Sequence, residues 1–470
     1  MNADLANQPS SARNDAKQGS APQRDPDLFA SRDDAMGQVS RRVVIVGGGA
    51  GGLELAAQLG RHRSSAPTGM EVLLIDASLI HVWKPLLHEL AAGTLRTAEG
   101  DVDFLQQARR HGFRFQLGTL ESMDRQAQQI WLAPLVDEFG EEIAPRRTVA
   151  YDVAVIAVGS VVNDFGTPGV KEHAVALNTA ADAQRFHRRL LGACARAEWH
   201  GDRPVNVVIV GGGATGVELA AELSEAVAVI ASYGPHLSRL KRPVGLRLIE
   251  AAPRILGALA EDVARKIHAD LEQLGVDVRP GQKVSGVAKD SVTLASGEQL
   301  PADITVWAAG IQGPAVLHQL DGLELNPMGQ LVVGPSLQTT RDPHVFAIGD
   351  CASCRTDPAG EPVPPRAQAA QQEADLLART LPDYMRGHAL PPFHFHDKGA
   401  LVTLGMHNAV ARLTGAHRGR GITLEGTLAR WAYWVLQRQH MVALHGPLRT
   451  VLLTLGGWLT ASSRPRVKLH

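Results

Sequence analysis

Residues 43–59 read VVIVGGGAGGLELAAQL and residues 207–223 read VVIVGGGATGVELAAEL. Each stretch opens on β-branched residues suited to a buried parallel strand, passes through GxGxxG, and continues with Leu, Ala and Glu at helical period. A single GxGxxG is a weak signal. Two near-copies in full strand–turn–helix order point to two dinucleotide-binding folds in one chain. The glycines have separate tasks: Gly47 and Gly211 turn the chain out of the strand. Gly49 and Gly213 let backbone approach a pyrophosphate, with Gly51 in the same turn of the first copy, and Gly52 and Gly216 bring the helix close to the sheet. The helix N-terminus then offers free N–H groups and a partial positive charge to a diphosphate.

Moving outward, each copy is followed by a strand ending in an acid. EVLLIDA at 71–77 carries Asp76, and LRLIEA at 246–251 carries Glu250, the latter after an insertion over about 224–245. An acid there accepts from a ribose hydroxyl and repels a 2′-phosphate, so the second nucleotide is expected to be NADH rather than NADPH. Arg254 lies near enough to temper that preference. YDVAVIAVG at 151–159 and DITVWAAG at 303–310 are apolar strands ending in small residues. Ala157, Gly159 and Gly310 leave room there for a cofactor to pass. HVFAIGD at 344–350 ends in Gly349 and Asp350, whose carboxylate can accept from a ribityl hydroxyl of FAD. The expected order is an FAD domain over 41–175, an NADH domain over 176–325, a return to the FAD domain over 326–395, and a C-terminal region over 396–470. Residues 1–40, rich in Ser, Ala, Gln, Asp and Arg, are expected to be a disordered leader.

Composition agrees with a multi-domain globular α/β protein. The chain has 470 residues, 44% hydrophobic and 20% charged, which suggests two to four domains and argues against a polytopic membrane protein. Lys and Arg total 47 against 48 Asp and Glu, so the chain as a whole is no nucleic-acid binder. Only three cysteines occur, Cys194, Cys351 and Cys354. There is no disulfide scaffold, and a reducing compartment is expected. The CxxC formed by Cys351 and Cys354 reads as a redox pair, half a metal site or inert thiols. Without a second CxxC the metal reading is disfavoured, and inert thiols are expected.

Further stretches are similar to the type II (non-proton-pumping) NADH:quinone oxidoreductases among the flavoproteins with two dinucleotide-binding domains. They are HVWKPLLHELAAGTL at 81–95, NDFGTPGVKEHA at 163–174, VFAIGDCASC at 345–354, PPRAQAAQQ at 364–372 and the terminal RPRVKLH. The resemblance covers about residues 41–470. It implies non-covalent FAD, NADH as donor and a membrane quinone as acceptor. The AQxAxQ element at 367–372 resembles the family's quinone-site signature, which puts Ala367 at the flavin and Gln368 and Gln372 near quinone and flavin ring. One helical turn apart, the two amides face one way, and an amide can donate to a quinone carbonyl and accept from a quinol hydroxyl. Glu218 matches a glutamate the family places between nicotinamide and flavin. His81, Lys84, Pro85 and His88 match a segment packed beside the flavin, where His88 reads as a structural histidine before a proton carrier. A sulfide:quinone oxidoreductase and an NADH-sensing flavoprotein of the apoptosis-inducing type are the alternatives.

From Lys398 to His470 the single acid is Glu425, against ten Lys and Arg, and Trp431, Trp434 and Trp458 lie in the same span. Helices expected around Leu428–Leu444 and Leu448–Leu459 would each have an apolar face flanked by Arg. That pattern suits peripheral docking in the headgroup plane, or packing on the body or a second subunit as a homodimer. The longest uncharged run, Thr450 to Ser463, falls short of the ~20 residues of a spanning helix. With the resemblance, the expected location is the cytoplasmic face of a bacterial inner membrane.

Overall fold

The computed structural model describes residues 41–65, 69–95, 101–200, 204–232, 243–356, 360–405, 408–413 and 422–459. The expected leader, part of the 224–245 insertion and the terminal RPRVKLH lie outside the described residues. Two sheets organise the rest, the second wholly parallel and the first parallel except at Gln338–Thr339, which runs antiparallel to both its neighbours. The first has eight strands in the order Ala352–Cys354, Leu331–Val333, Gln338–Thr339, Asp342–Ala347, Val153–Ile156, Arg41–Val46, Met70–Asp76 and Arg114–Leu117. The second has five, in the order Ala174–Ala176, Ile304–Trp307, Val205–Val210, Val244–Ile249 and Val276–Arg279. The second sheet is thus made entirely from chain that lies between two portions of the first.

The glycine-bearing strands are interior strands of their sheets. Val43–Val46 and Val207–Val210 are buried without alternation, as a parallel strand covered on both faces must be. Each glycine turn feeds a helix: α1 (Ala50–Ser65) in the first unit and, after α2 (Leu87–Ala92) and α3 (Ala180–His200), α4 (Ala214–Ser232) in the second. Each unit has its own apolar core. α5 (Ala367–Tyr384) returns to the first unit and packs along α1.

The C-terminal region holds more than the helices legible from sequence. Ala400–Leu404, Asn408–Leu413 and Ile422–Glu425 form an antiparallel sheet, whose Val402, Leu404 and Val410 join the core of the second unit. α6 (Thr427–His445) packs on this sheet, and α7 (Pro447–Leu459) packs on α6. Their bounds are close to those expected from the apolar spacing. Arg438 Nη1 donates to Thr454 Oγ1 at 3.0 Å, tying the two helices together. His111 Nε2 lies 2.9 Å from Leu444 O, joining them to the first unit. Among the described residues, no helix is long and apolar enough to cross a membrane.

Candidate active site

The two glycine turns are built alike. Gly47 has φ +106°, and a Cβ on it would sit 2.3 Å from Ala157 O; Gly211 has φ +115°, and its Cβ would sit 2.7 Å from Ala308 O. Only glycine combines that conformation with that approach. A Cβ on Gly52 or Gly216 would lie 1.9 Å from the carbonyl of Gly47 or Gly211, so each helix presses on its own turn. Gly49 and Gly213 meet nothing within 4 Å, which leaves open space over each helix N-terminus. The acid of each unit latches its turn. Asp76 accepts from Gly48 N at 2.6 Å and Ser78 N at 2.8 Å, and Glu250 accepts from Gly212 N at 2.6 Å and Ala252 N at 2.7 Å. Arg254 is turned to the carbonyls of Leu256, Gly257 and Leu259.

Around the first turn, the strand ends singled out from sequence converge. Lys84 Nζ donates to Ser160 O at 2.9 Å and would lie 3.2 Å from a Cβ at Gly159. Ser160 Oγ donates to Asp350 Oδ2 at 2.9 Å, and Gly349 N to the buried Glu373 Oε2 at 2.6 Å. A Cβ at Gly51 would sit 3.0 Å from Ala370 O, so the first turns of α1 and α5 touch and two positive helix ends lie side by side. In the second unit Gly310 has φ +61° and lies under the Phe165 ring. These cradles fit an FAD in the first unit and a second dinucleotide in the other: open space at Gly49 and Gly213, amide-rich helix ends, and carboxylates already oriented.

Ala367 opens α5, and Gln368 and Gln372 follow on its first two turns. Both amides hold the segment leading to the strand Ala400–Leu404. Gln368 Nε2 donates to Gly399 O at 2.9 Å and Asp397 Oδ1 at 3.2 Å, while its Oε1 accepts from Lys398 N at 3.0 Å. Gln372 Nε2 donates to His396 O at 3.0 Å and its Oε1 accepts from His396 N at 2.9 Å. That strand carries Thr403, whose N and Oγ1 donate to Glu218 Oε1 at 3.2 and 3.4 Å. Burial pushes the Glu218 carboxyl up to about 8, with the nearby Glu222 adding to it. His88 Nδ1 lies 3.7 Å from Glu218 Oε2, and burial pushes that imidazole down to about 4, so it is neutral. His81 is equally buried and pushed down to about 4, with Nδ1 2.8 Å from Gly48 O.

With these features in place, the comparisons are specific. The model for pyridine nucleotide-disulphide oxidoreductases matches residues 41–374. A type II NADH:quinone oxidoreductase of Haemophilus influenzae is 36% identical over 446 residues, 92% of this chain and 100% of the relative. The chain belongs to the pyridine nucleotide-disulphide oxidoreductases, in their type II NADH:quinone oxidoreductase family. A relative of the same name in Mycobacterium tuberculosis is 30% identical, covering 89% of this chain and 86% of its own. The solved NDH2 of Plasmodium falciparum in complex with NADH superposes with a TM-score of 0.75 at 19% identity, over 91% of this chain and all of that one. At that identity the match speaks for the fold alone.

Within this family the three cysteines of the chain sit as plain thiols. All are free and buried; Cys194 belongs to the core of the second unit, Cys351 and Cys354 to that of the first. Burial pushes Cys194 up to about 11 and the other two up to about 12, far from the thiolate a redox pair needs. Sequence reasoning passed over Ser160, Asp397, Thr403 and Glu222. For Glu222 a signal existed: it is the one helix position where the second repeat has an acid and the first an amide, Gln58. The others are reached only by long-range folding.

Proposed function

We propose that this chain oxidises NADH and reduces a membrane quinone through one bound FAD, without pumping protons. The carrying observation is the pair of matched turns, each with open space over a helix N-terminus and a latched carboxylate, with buried Glu218 held by Thr403. Bound FAD supplies the chemistry that couples a hydride donor to a quinone; this chain supplies position, exclusion of water and proton-holding groups. Gly47, Gly49, Gly51, Gly52, Asp76, Lys84, Ala157, Gly159, Gly349, Asp350 and Ala367 would hold the FAD. Gly211, Gly213, Gly216, Glu250 and Gly310 would hold NADH, and Glu250 would favour it over NADPH. Gln368 and Gln372 would act at the quinone side, partly by fixing the 396–399 segment. The domain limits at 41–175, 176–325, 326–395 and 396–470 belong to the same reading.

Peripheral docking through the C-terminal region completes it. α6 and α7 expose large apolar residues: Leu428 is 64% exposed, Trp431 65%, Leu448 74%, Leu452 60% and Leu459 72%. The side chain of Trp458 lies outside the described residues. Arg430 and Arg449, both exposed, flank this surface and suit an anionic cytoplasmic leaflet. A homodimer through the same face is the competing use, and vesicle binding by the full chain distinguishes the two. Anaerobic stopped-flow tests the catalytic proposal: NADH should bleach the flavin, and a short-chain ubiquinone should restore its colour. A flavin that bleaches but is not restored by any quinone would leave only the sensing alternative.

A further inference from the structure

The stretch NDFGTPGVKEHA at 163–174 has no task in the catalytic reading. It is entered from Val161–Val162, which pairs antiparallel with Ile311–Gln312 and so joins the first unit to the second. Its first residues form a tight loop in which two short polar side chains hold backbone amides. Asn163 Oδ1 accepts from Phe165 N and Asp164 Oδ1 from Gly166 N, both at 2.8 Å. Trp307 Nε1 donates to Asn163 O at 2.8 Å, which ties the loop to the strand Ile304–Trp307 of the second sheet. On the far side Val287 N donates to Pro168 O at 2.9 Å. The loop is thus fastened to the second unit at both its ends.

What this fastening holds in place is Phe165. Its φ of +50° is left-handed, a conformation costly for an aromatic residue and kept only where surrounding bonds overdetermine it, as at ligand clamps. Little burial offsets that cost, because Phe165 is 61% exposed. The tip of its ring rests on Gly310, where a Cβ would lie 2.5 Å from Phe165 Cζ and 3.0 Å from Cε2. The missing side chain of Gly310 therefore makes room for this ring, and most of the ring stays open. The strand order of the second sheet decides which part of a dinucleotide it would meet. The glycine turn follows Val205–Val210, and Glu250, proposed at the adenosine ribose, ends Val244–Ile249 on one side of it. Ile304–Trp307 lies on the other side, and its end meets the turn, a Cβ on Gly211 coming 2.7 Å from Ala308 O. A dinucleotide laid across these strand ends, with its pyrophosphate at the turn, runs its nicotinamide end over residues 308–310.

We propose that Phe165 is an NADH-binding residue, a fixed aromatic wall for the nicotinamide end, held out over Gly310 by the 163–167 loop. The proposal rests on the NADH reading of the second unit and deepens it. Gly310 serves the dinucleotide through this ring, and Asn163, Asp164 and Trp307 are positioning residues that act through Phe165. The backbone of Phe165 is set by bonds within the protein, so little ordering is left for the moment of binding. The contact is one of ring surface and shape, and it moves no proton, electron or charge.

The test measures binding to the full chain carrying its FAD, by calorimetric titration with two ligands that cannot give up a hydride. Tetrahydro-NADH keeps a nicotinamide-like ring, and ADP-ribose lacks it. Phe165→Asn removes the aromatic ring while asparagine tolerates the left-handed backbone. It should weaken tetrahydro-NADH roughly 3- to 10-fold, the worth of one aromatic contact, and leave ADP-ribose unchanged. The KM for NADH should rise by a similar factor, and Phe165→Tyr, which restores a ring, should recover both affinity and KM. Thermal stability of Phe165→Asn should match or exceed wild type, since strain is relieved and little burial is lost; a merely structural residue would lower it. Unchanged affinity for tetrahydro-NADH in Phe165→Asn, or equal weakening of both ligands, would overturn the assignment. Should Phe165→Asn fail to fold, Phe165→Gly, for which this backbone carries no strain, takes its place. A wild-type chain that binds neither ligand, and whose flavin NADH does not bleach, would instead sink the NADH reading itself.

Discussion

Glu218 and Glu54 occupy the same position in the two repeats, and both are buried carboxyls pushed upward, Glu218 to about 8 and Glu54 to about 7. Identical local sequence puts each on the inner side of its helix, and the surroundings then differ: Glu54 faces Asp375, Gln371 and Arg61, Glu218 faces Thr403 and His88. Because folding raises the Glu218 value, the folded chain holds its proton where the unfolded chain has lost it. The stability this carries is complete below the ordinary carboxylate value of 4.5 and is lost as pH rises towards about 8. Glu218→Gln should therefore flatten the fall in thermal stability between pH 5 and 8, by on the order of 1–3 kcal/mol at the alkaline end. Scanning calorimetry across that range checks it. Glu373, also pushed up to about 8, should retain a remaining slope. Asp350, held by Ser160 Oγ, is expected to orient the ribityl chain, so Asp350→Ala should lose FAD on dialysis. Full flavin content after dialysis would remove that role. Glu250→Gln should narrow the preference for NADH over NADPH, chiefly through a higher KM for NADH; an unchanged ratio would take the ribose contact away from Glu250.

At the scale of elements, the start of α5 joins two functions through one set of bonds. Gln368 and Gln372 clamp the chain at residues 396–399, and the strand that follows carries the donors to Glu218. Substituting either glutamine by Ala should slow quinone-driven flavin reoxidation, at least ~10-fold where a positioned amide is lost, and leave reduction by NADH nearly unchanged. Stopped-flow of the two half-reactions separates these; if reduction by NADH is what fails, the amides have been put on the wrong side of the flavin. The helices α6 and α7 were legible because Leu, Trp and Val recur at three-to-four spacing between arginines. The antiparallel sheet preceding them was not. Its strands are short, and pairing Leu401 with Ala411 and Ala411 with Leu424 depends on partners distant in sequence. Leu448→Glu with Leu452→Glu should release the protein from anionic vesicles while ferricyanide reduction continues. Undiminished co-sedimentation would show that this face is not the anchor.

At the scale of the whole molecule, the chain alone carried the architecture. A run of β-branched residues, a glycine turn and an Ala/Leu helix can bury both faces of a parallel strand in few other ways, and repeating that unit means two sheets. The turns, the acids Asp76 and Glu250, and the small residues at the strand ends were readable because each requirement is met within a few residues. Tertiary structure decided how the pieces face one another. It brought Ser160 to Asp350 across 190 positions and Thr403 to Glu218 across 185. It also turned Gln368 and Gln372 onto the backbone of 396–399, and set Glu218 on one helix 3.7 Å from His88 on another. Local sequence dictates backbone conformation through sterics and periodic burial, but which polar atoms share a low-dielectric interior depends on packing between distant segments. There the protonation states of Glu218, Glu222 and His88 were set.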